Sequence, residues 1–333
     1  MHWITGPFSD ALRAMVSVDV IYFALAAMGM NVQFGYAGLL NFGQAAFMAA
    51  GAYGLGMTAQ YFAISMWWGF GIGLGFAIVL GLLMGVPTLR LRADYLAIVT
   101  IAAAEIVRLV VRSVQYKPYF GGSDGINNFS QPFRDTNPLN PGAQYALGPF
   151  KYQGLSLWVM IVGWILVALV SLFVWQLMRS PWGRVIKAIR EDEEAVRSLG
   201  KNVYSYKMQA LVLGGVIGVF AGFVLALDRG SVQPDNYSRD VTFYVLTALV
   251  LGGLARVSGS VVGPMMFWFL LVFFESFLRE IVGDDGKLFP IVSNASQIGQ
   301  FRFMLIGIML MVLMVFRPQG LFGSREEMTL DAR

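Results

Sequence analysis

The chain has 333 residues, of which 57% are hydrophobic and 13% are charged, and its net charge is +4. A soluble domain carries about 25% charged residues, so this composition excludes an ordinary soluble domain and indicates a membrane protein. There is no cysteine and one histidine, His2, which excludes a disulfide framework, a thiolate nucleophile and a metal site or triad built on these residues. The small positive charge is typical of basic cytoplasmic loops and does not indicate nucleic-acid binding.

The first residues of the chain, 1–17, contain Asp10 and Arg13 and lack the apolar core of a cleavable signal peptide. We interpret them as an interfacial lead-in to the first membrane helix. Further along, near-continuous apolar runs such as 67–86 and 155–178 match the length of about 20 residues that crosses a hydrocarbon core as a helix. They do not alternate as membrane-barrel strands do, and in lipid a helix pairs every backbone group internally.

These runs predict one all-α domain over residues 1–333, a polytopic transmembrane helical bundle. We expect eight to nine crossings, because some segments, such as the short 241–256, are candidates for half-spans. The predicted ranges are 18–34, 39–60, 66–86, 93–115, 155–178, 207–228, 241–256, 261–281 and 302–317.

Lysine and arginine near the ends of spans predict which side each loop occupies. The strongly basic loop 179–207 and the short link that carries Arg90 and Arg92 are predicted to be cytoplasmic. The intervening segment 116–154, rich in glycine, proline and asparagine, is then external. If the sides continue to alternate, segments 229–240 and 282–301 are also external and the tail 324–333 is cytoplasmic. The same alternation predicts an external N-terminus.

Residues 31–56 are apolar enough for the membrane, yet they contain several amide side chains and many glycines. Polar side chains at membrane depth are costly unless they face protein or water, and glycines permit a broken helix or close helix contact. One interpretation is a tightly packed helix pair. The other is a broken helix that lines a translocation path through Asn31, Gln33, Asn41 and Gln44.

An acid and a base lie within the apolar run 92–112, at Glu105 and Arg108. Residues three apart share a helix face, so we expect the two to pair. The pair is either structural or, through Glu105, a polar feature of the path.

The basic loop predicts two short amphipathic helices. Pro181 follows Ser180 as at many helix starts, the pattern breaks at Asp192, and Gly200 is typical of the position after a helix end. A solvated basic loop is the alternative interpretation. In the second half of the chain, glycines again interrupt an apolar run over 246–264, and such a pair of broken segments indicates a binding site near the bilayer midplane in transporters.

Several strings resemble one family, the branched-chain amino acid permeases of the LivM type, over about residues 25–323. GYAGLLNFGQAAF at 35–47 is similar to a family signature, although Asn41 and Gln44 replace the more usual serine and histidine. Residues 179–200 resemble the EAA loop of ABC importer permeases, with Val196 in place of alanine. Residues 95–108, 121–126 and 316–323 are similar too.

The resemblance implies a permease subunit of an ATP-driven ABC importer in the bacterial cytoplasmic membrane, not an enzyme. It implies that the loop couples this chain to ATPases through five residues: Arg184, Arg190, Glu194, Ala195 and Gly200. The implied partners are two ATPase subunits that hold ATP and magnesium, a second and different permease, an external binding protein and membrane lipid. No P-loop motif occurs in the chain itself, and no cofactor is expected in it.

The resemblance favours leucine, isoleucine and valine as solutes. A permease for urea or short amides is the alternative, since such permeases are similar. An ion-coupled secondary transporter would need several intramembrane acids, and a membrane enzyme would need catalytic groups that this composition lacks.

Overall fold

The computed structural model describes residues 2–60, 65–89, 93–140, 143–147, 150–282, 295–316 and 320–321. Within them, fourteen α-helices form an all-α bundle with four short strands. The first seven helices are α1 His2–Ala14, α2 Val18–Met30, α3 Gln44–Gln60, α4 Trp67–Thr88, α5 Ala93–Arg112, α6 Lys117–Phe120 and α7 Gln131–Asp135. The others are α8 Gly154–Arg179, α9 Pro181–Glu191, α10 Glu193–Ser198, α11 Val203–Arg229, α12 Arg239–Gly252, α13 Val257–Val282 and α14 Ala295–Phe316.

The strands belong to two small ladders. β1 (Ile126–Asn127) pairs with β4 (Ser231–Val232) in antiparallel register, with Ile126 opposite Val232. β2 (Gln144–Leu147) pairs with β3 (Phe150–Gln153) as an antiparallel ladder. Both ladders lie at one end of the bundle, which we call the α6–α7 end; the opposite end carries α9 and α10.

The centre of the bundle is formed by α2, α3 and α11. All but one residue of α2 is buried, and its apolar residues occur all round the helix, as expected of a helix enclosed on every side. Outer helices show the reverse pattern, with exposed apolar side chains such as Leu83 of α4, Ile98 of α5 and Leu169 of α8. Such an apolar exterior fits a hydrocarbon surrounding.

Among the described residues, five helical segments are long and apolar enough to cross a membrane: Val18–Tyr36, Trp67–Thr88, Gly154–Arg179, Val203–Arg229 and Val257–Glu280. Each of the nine predicted ranges contains a helix, but the predicted eight to nine crossings are not confirmed. α3 and α12 are shorter than their predicted ranges, because non-helical residues precede α3 and follow α12.

The bundle places the predicted loops at two ends. The β1–β4 ladder joins the predicted external segments 116–154 and 229–240 at the α6–α7 end. At the other end, Gly85 of α4 lies against Met208 of α11. This contact places the last turn of α4 beside the start of α11, at the end of the bundle that carries α9 and α10. The predicted tail 324–333, Arg90 and Arg92 lie outside the described residues.

The N-terminal segment forms α1, which packs along α13. Phe8 meets Phe269 edge to face at 5.8 Å between ring centroids, and Ser276 donates a hydrogen bond of 3.4 Å to Asp10. The guanidinium of Arg13 lies 5.1 Å from the centroid of the Tyr152 ring, so the end of α1 is at the α6–α7 end.

Candidate functional site

The first break in the helices lies between α2 and α3. α2 continues into a π-helical turn, Asn31–Tyr36, and regular helix resumes only at Gln44. Gly38, within the non-helical residues, has a φ of 68°, a left-handed conformation that favours glycine. π-turns inside helices occur frequently at functional sites.

The second break lies between α12 and α13, at residues 253–256. Gly253 has a φ of 111° and Ala255 has a φ of 56°. A non-glycine residue at positive φ is uncommon and strained, and such strain tends to occur at functional sites. The apolar run 246–264 is therefore interrupted, as its glycines predict, and the interruption is a turn between two helices that pack against each other at Gly252 and Gly259.

The side chain of Asn31 joins the two breaks. Its Oδ1 accepts a hydrogen bond of 2.9 Å from the backbone N–H of Ala255. Its Nδ2 donates bonds of 2.9 Å to the carbonyl of Arg256 and to Oγ of Ser260. We call residues 31–43 and 253–256, held together in this way, the junction.

Gln33 and Asn41 form hydrogen bonds within the first break and to α11. Nε2 of Gln33 donates to the Leu211 carbonyl at 2.8 Å, and Nδ2 of Asn41 donates to Oε1 of Gln33 at 2.8 Å. Oδ1 of Asn41 accepts from the N–H of Gly43 at 2.8 Å. Gly214 leaves room for this arrangement, because a Cβ atom there would lie 2.5 Å from Cγ of Gln33.

Gln44 occupies a similar position one helix turn further along α11. Its Nε2 lies 3.3 Å from the carbonyls of Ala26 and Gly214, and a Cβ atom at Gly218 would clash with the amide. Its Oε1 is buried and has no hydrogen-bond partner among the described residues.

The four predicted path amides thus come together in the interior, where at most 2% of each residue is exposed. In this arrangement their bonds stabilise the breaks. Whether they line a path stays a prediction.

Two threonines that sequence analysis did not single out also stabilise the first break. Oγ1 of Thr100, on α5, accepts from the N–H of Phe42 at 3.1 Å, and Oγ1 of Thr242, on α12, accepts from the N–H of Ala45 at 3.0 Å. Both are fully buried. A hydroxyl in an apolar helix is the only signal in the sequence, and it is weak because threonine can also bond to its own helix.

Glu105 pairs with Arg108 as predicted. Nη2 of Arg108 lies 2.5 Å from Oε1 of Glu105, and its Nη1 lies 2.9 Å from Oδ1 of Asp235. Asp235 belongs to the segment after β4, so this network connects α5 to the α6–α7 end. The geometry favours the structural interpretation of the pair, and its role in a path is untested.

At the opposite end, the basic loop forms the two short helices that its sequence predicts. Oγ of Ser180 accepts from the N–H of Gly183 at 3.4 Å, with Pro181 as the first residue of α9. Asp192 interrupts the pair, and its Oδ1 accepts from the N–H groups of Glu194 and Ala195 at 2.9 and 3.0 Å. This is a helix N-cap. Gly200, after α10, has a φ of 76°.

The apolar face of these helices is buried against the rest of the chain, at Ile186, Ile189 and Val196. The exposed face contains all five predicted coupling residues, Arg184, Arg190, Glu194, Ala195 and Gly200. Leu199 beside them is 79% exposed. The surface available to another protein is therefore charged, with one projecting leucine.

Arg190 connects this loop directly to the first break. Its Nη1 donates a bond of 2.5 Å to the carbonyl of Gly35, and its Cγ lies 3.3 Å from the position that a Cβ atom would take at Gly38. Nζ of Lys187 lies 5.5 Å from the centroid of the Tyr36 ring. A displacement of α9 would therefore act on the junction without an intermediate element.

The sequence profile described as "branched-chain amino acid transport system / permease component" matches residues 12–314. The chain belongs to this family. The family comprises transport permease subunits and is not enzymatic, so the predicted permease identity is confirmed.

Individual relatives agree with the family match. The chain is 30% identical to the "high-affinity branched-chain amino acid transport system permease protein LivM" of Escherichia coli, over 92% of this chain and 69% of that protein. It is 26% identical to the "probable branched-chain amino acid transport permease protein LivM" of Methanocaldococcus jannaschii, over 95% of each. The "fructose import permease protein FrcC" of Rhizobium meliloti is 30% identical, over 44% of this chain and 38% of that protein.

Proposed function

We propose that this chain translocates branched-chain amino acids as the permease subunit of an ABC importer, and that the α9–α10 loop drives the junction. The names of the relatives support the solute class. The hydrogen bond between Arg190 and Gly35 is the observation that supports this coupling, because it joins the exposed loop to the first break.

The proposed drive follows from these contacts. ATPase subunits contact the exposed face of α9 and α10, with Leu199 inserted and Arg184 and Glu194 setting the register. Closure of the ATPases displaces the pair of helices as one body, since Asp192 both ends α9 and caps α10 and no linker separates them. Arg190 then pulls on Gly35 and separates the two breaks.

Separation of the two breaks would free side-chain amide groups whose hydrogen bonds are satisfied while the breaks are in contact. Asn31 would lose Ala255 and Arg256 as partners and become accessible to water or to a zwitterionic solute. Gln33, Asn41 and Gln44 would keep their bonds within the bundle and lie beside the opening. We propose that the path forms in this way, so that the amides meet the solute only when the breaks separate.

The rest of the assembly follows the family pattern. ATP and magnesium are held by two ATPase subunits, a second and different permease packs beside this chain, and a binding protein delivers solute from outside. We place the α9–α10 end in the cytoplasm together with the C-terminus, and the α6–α7 end with the N-terminus outside. The basic residues of 179–207 support this orientation.

The solute assignment is tested by uptake of labelled leucine and labelled urea in cells with and without this chain, with its partner subunits present. Loss of leucine uptake alone on deletion is the expected result. Loss of urea uptake alone would replace the solute and leave the architecture, and loss of neither would overturn the proposal.

The coupling role is tested by Glu194→Lys and by Gly200→Pro. Proline has a φ near −65°, which is incompatible with the φ of 76° at Gly200. Both variants should reach the membrane and lose uptake while the ATPases continue to hydrolyse ATP. Asp135→Lys, a charge reversal at the α6–α7 end, is the matched control, and normal uptake by both loop variants would contradict the assignment.

A further inference from the structure

A groove of 520 Å³ runs along the outside of the bundle between α4 and α8, which both pack on α11. Its walls are formed by apolar residues four apart on each outer helix: Ile78 and Leu82 on α4, Phe173 and Leu177 on α8. Residues four apart lie on one face of a helix, so the groove runs parallel to the helices. Its floor extends along α11 from Met208 to Val216, which is about 12 Å of helix.

The groove opens on the apolar exterior of the bundle. Ile78, Leu82 and Phe173 are exposed, and α4, α8 and α11 are all long and apolar enough to cross a membrane. In the membrane this surface meets hydrocarbon, so a groove in it is filled by an acyl chain or by another protein. An empty groove would forfeit dispersion contacts along its whole length.

One end of the groove is polar. There the indole Nε1–H of Trp182, on α9, donates a hydrogen bond of 2.8 Å to Oε1 of Gln209. Tryptophan is enriched where hydrocarbon meets water, and α9 follows directly on the end of α8. This end therefore lies at the level of the lipid headgroups, and the rest of the groove lies in the hydrocarbon.

Two arginines lie beside the polar end. Arg179 ends α8 and Arg184 lies in the first turn of α9, each two residues beyond a residue of the groove lining. The guanidinium of Arg179 lies 3.9 Å from the centroid of the Trp175 ring, and Nη1 of Arg184 donates a bond of 3.4 Å to the carbonyl of Arg179. Neither contact neutralises a charge, and residues 176–190 contain no acid. The two exposed cations favour a phosphate group.

We propose that this groove binds one anionic phospholipid. Its phosphate would lie beside Arg179, with Arg184 adding positive charge, and one acyl chain would lie along α11. A groove of about two helix turns is short for the contact between two spanning helices, and its cationic end does not suit an apolar helix. An anionic headgroup with an apolar tail fits both the cationic end and the apolar length. A lipid held there would also touch Trp182 and therefore the start of α9.

The test measures which lipid occupies the groove. The chain has no cysteine, so a bimane fluorophore attached at Leu82→Cys reports from the groove wall. The importer, purified with its partner subunits, is placed in phosphatidylcholine nanodiscs, and the same importer with the unmodified chain gives the background of the partners. A small fraction of the lipid, equal in the two samples, is phosphatidylglycerol or phosphatidylcholine with brominated acyl chains, which quench bimane on contact.

We expect brominated phosphatidylglycerol to reach half-maximal quenching at about a tenfold lower fraction than brominated phosphatidylcholine, since basic residues at a membrane surface attract anionic lipid. Leu83→Cys is the matched control, because Leu83 follows Leu82 on α4 and is exposed outside the groove. At that position the two lipids should quench equally.

Variants of the arginines locate the headgroup. Arg179→Gln should reduce the preference for phosphatidylglycerol about threefold, and its combination with Arg184→Gln should abolish the preference. Arg197→Gln removes an exposed arginine that pairs with Glu193 at the same end of the bundle and should preserve it. Quenching is measured without ATP or solute, so the result does not depend on the proposed transport function.

Three outcomes would overturn the inference. Equal quenching by the two lipids at Leu82→Cys would show that the groove holds ordinary surrounding lipid. Quenching at Leu83→Cys, but by neither lipid at Leu82→Cys, would show that another protein, such as the second permease, covers the groove. A preference that survives the double arginine variant would place the headgroup elsewhere.

Discussion

The two breaks in the bundle are stabilised by different means. The first, at residues 31–43, is held by long amide side chains whose bonds reach the backbone of α11 and of the second break. The second, at residues 253–256, is held by close contact of glycine backbones, since a Cβ atom at Gly252 would lie 2.0 Å from the carbonyl oxygen of Gly259.

This difference indicates different roles during transport. Amide hydrogen bonds can be exchanged for bonds to water or solute at small net free-energy cost, so the first break can open. Contact between glycine backbones has no such substitute, because any side chain would separate the helices. We therefore expect the second break to act as the fixed side of the junction and the first as the side that moves with Arg190.

The largest effect is expected from Gly252→Val in the second break. The added side chain would enter the space of Gly259 and Gly263, and overpacking of this kind costs about 3 kcal/mol. The thermal midpoint of the purified protein in detergent should fall sharply. Gly75→Ala on α4, where a Cβ atom meets nothing within 4 Å, is the control and should leave the midpoint unchanged. Equal midpoints for the two variants would show that close contact between glycine backbones does not stabilise the second break.

A smaller effect is expected from Asn31→Leu in the first break. The N–H of Ala255 and the carbonyl of Arg256 would lose their side-chain partner in the interior, at a cost of about 1–3 kcal/mol. Ser260→Ala removes only one of the three bonds of Asn31 and should cost less. Thermal midpoints of both variants measure the difference, and a Ser260→Ala effect as large as that of Asn31→Leu would show that the amide does not join the breaks.

Arg190→Met should affect transport more than stability. The methionine keeps much of the aliphatic stem beside Gly38 but cannot donate to the carbonyl of Gly35, and a lost bond to a charged group corresponds to roughly a tenfold change. Uptake should fall about tenfold, with ATP hydrolysis retained. Arg197→Met, which breaks only an exposed pair with Glu193, should leave uptake intact. Parallel loss of uptake and ATP hydrolysis in Arg190→Met would contradict a role in transmission.

The smallest effect is expected at an exposed pair remote from both breaks. The pair is Asp124 and Lys117, and the hydrogen bond between them lowers the pKa of Asp124 and raises the pKa of Lys117. The contribution of Asp124 to stability is lost only as the pH falls through its lowered pKa, and that of Lys117 only as the pH rises through its raised pKa. Asp124→Asn should therefore lower the thermal midpoint by a small amount that is the same at every pH from about 5 to 9, since exposed pairs contribute little. A difference between variant and unmodified protein that is large, or that changes within this pH range, would show that the pair is more than a surface contact.

Much of this architecture could be read from local sequence. The apolar runs predict helices in all nine ranges, because the composition and length of each segment can be judged from its own residues. The start of α9 and the end of α10 are predicted equally well, because Ser180, Pro181 and Gly200 are helix-terminal signals that act within a few residues. The Glu105–Arg108 pair needed only the helical repeat.

The partners of the polar residues depend on contacts between distant segments. Asn31 and Ala255 are separated by more than two hundred residues, and no periodicity predicts that an amide satisfies the backbone of another break. The same is true of Thr100 and Thr242, and of the link from Arg190 to Gly35. Residues with polar side chains were visible in the sequence, but whether they face solute, lipid or backbone depends on which helices pack together, because burial and hydrogen bonding are properties of the assembled bundle.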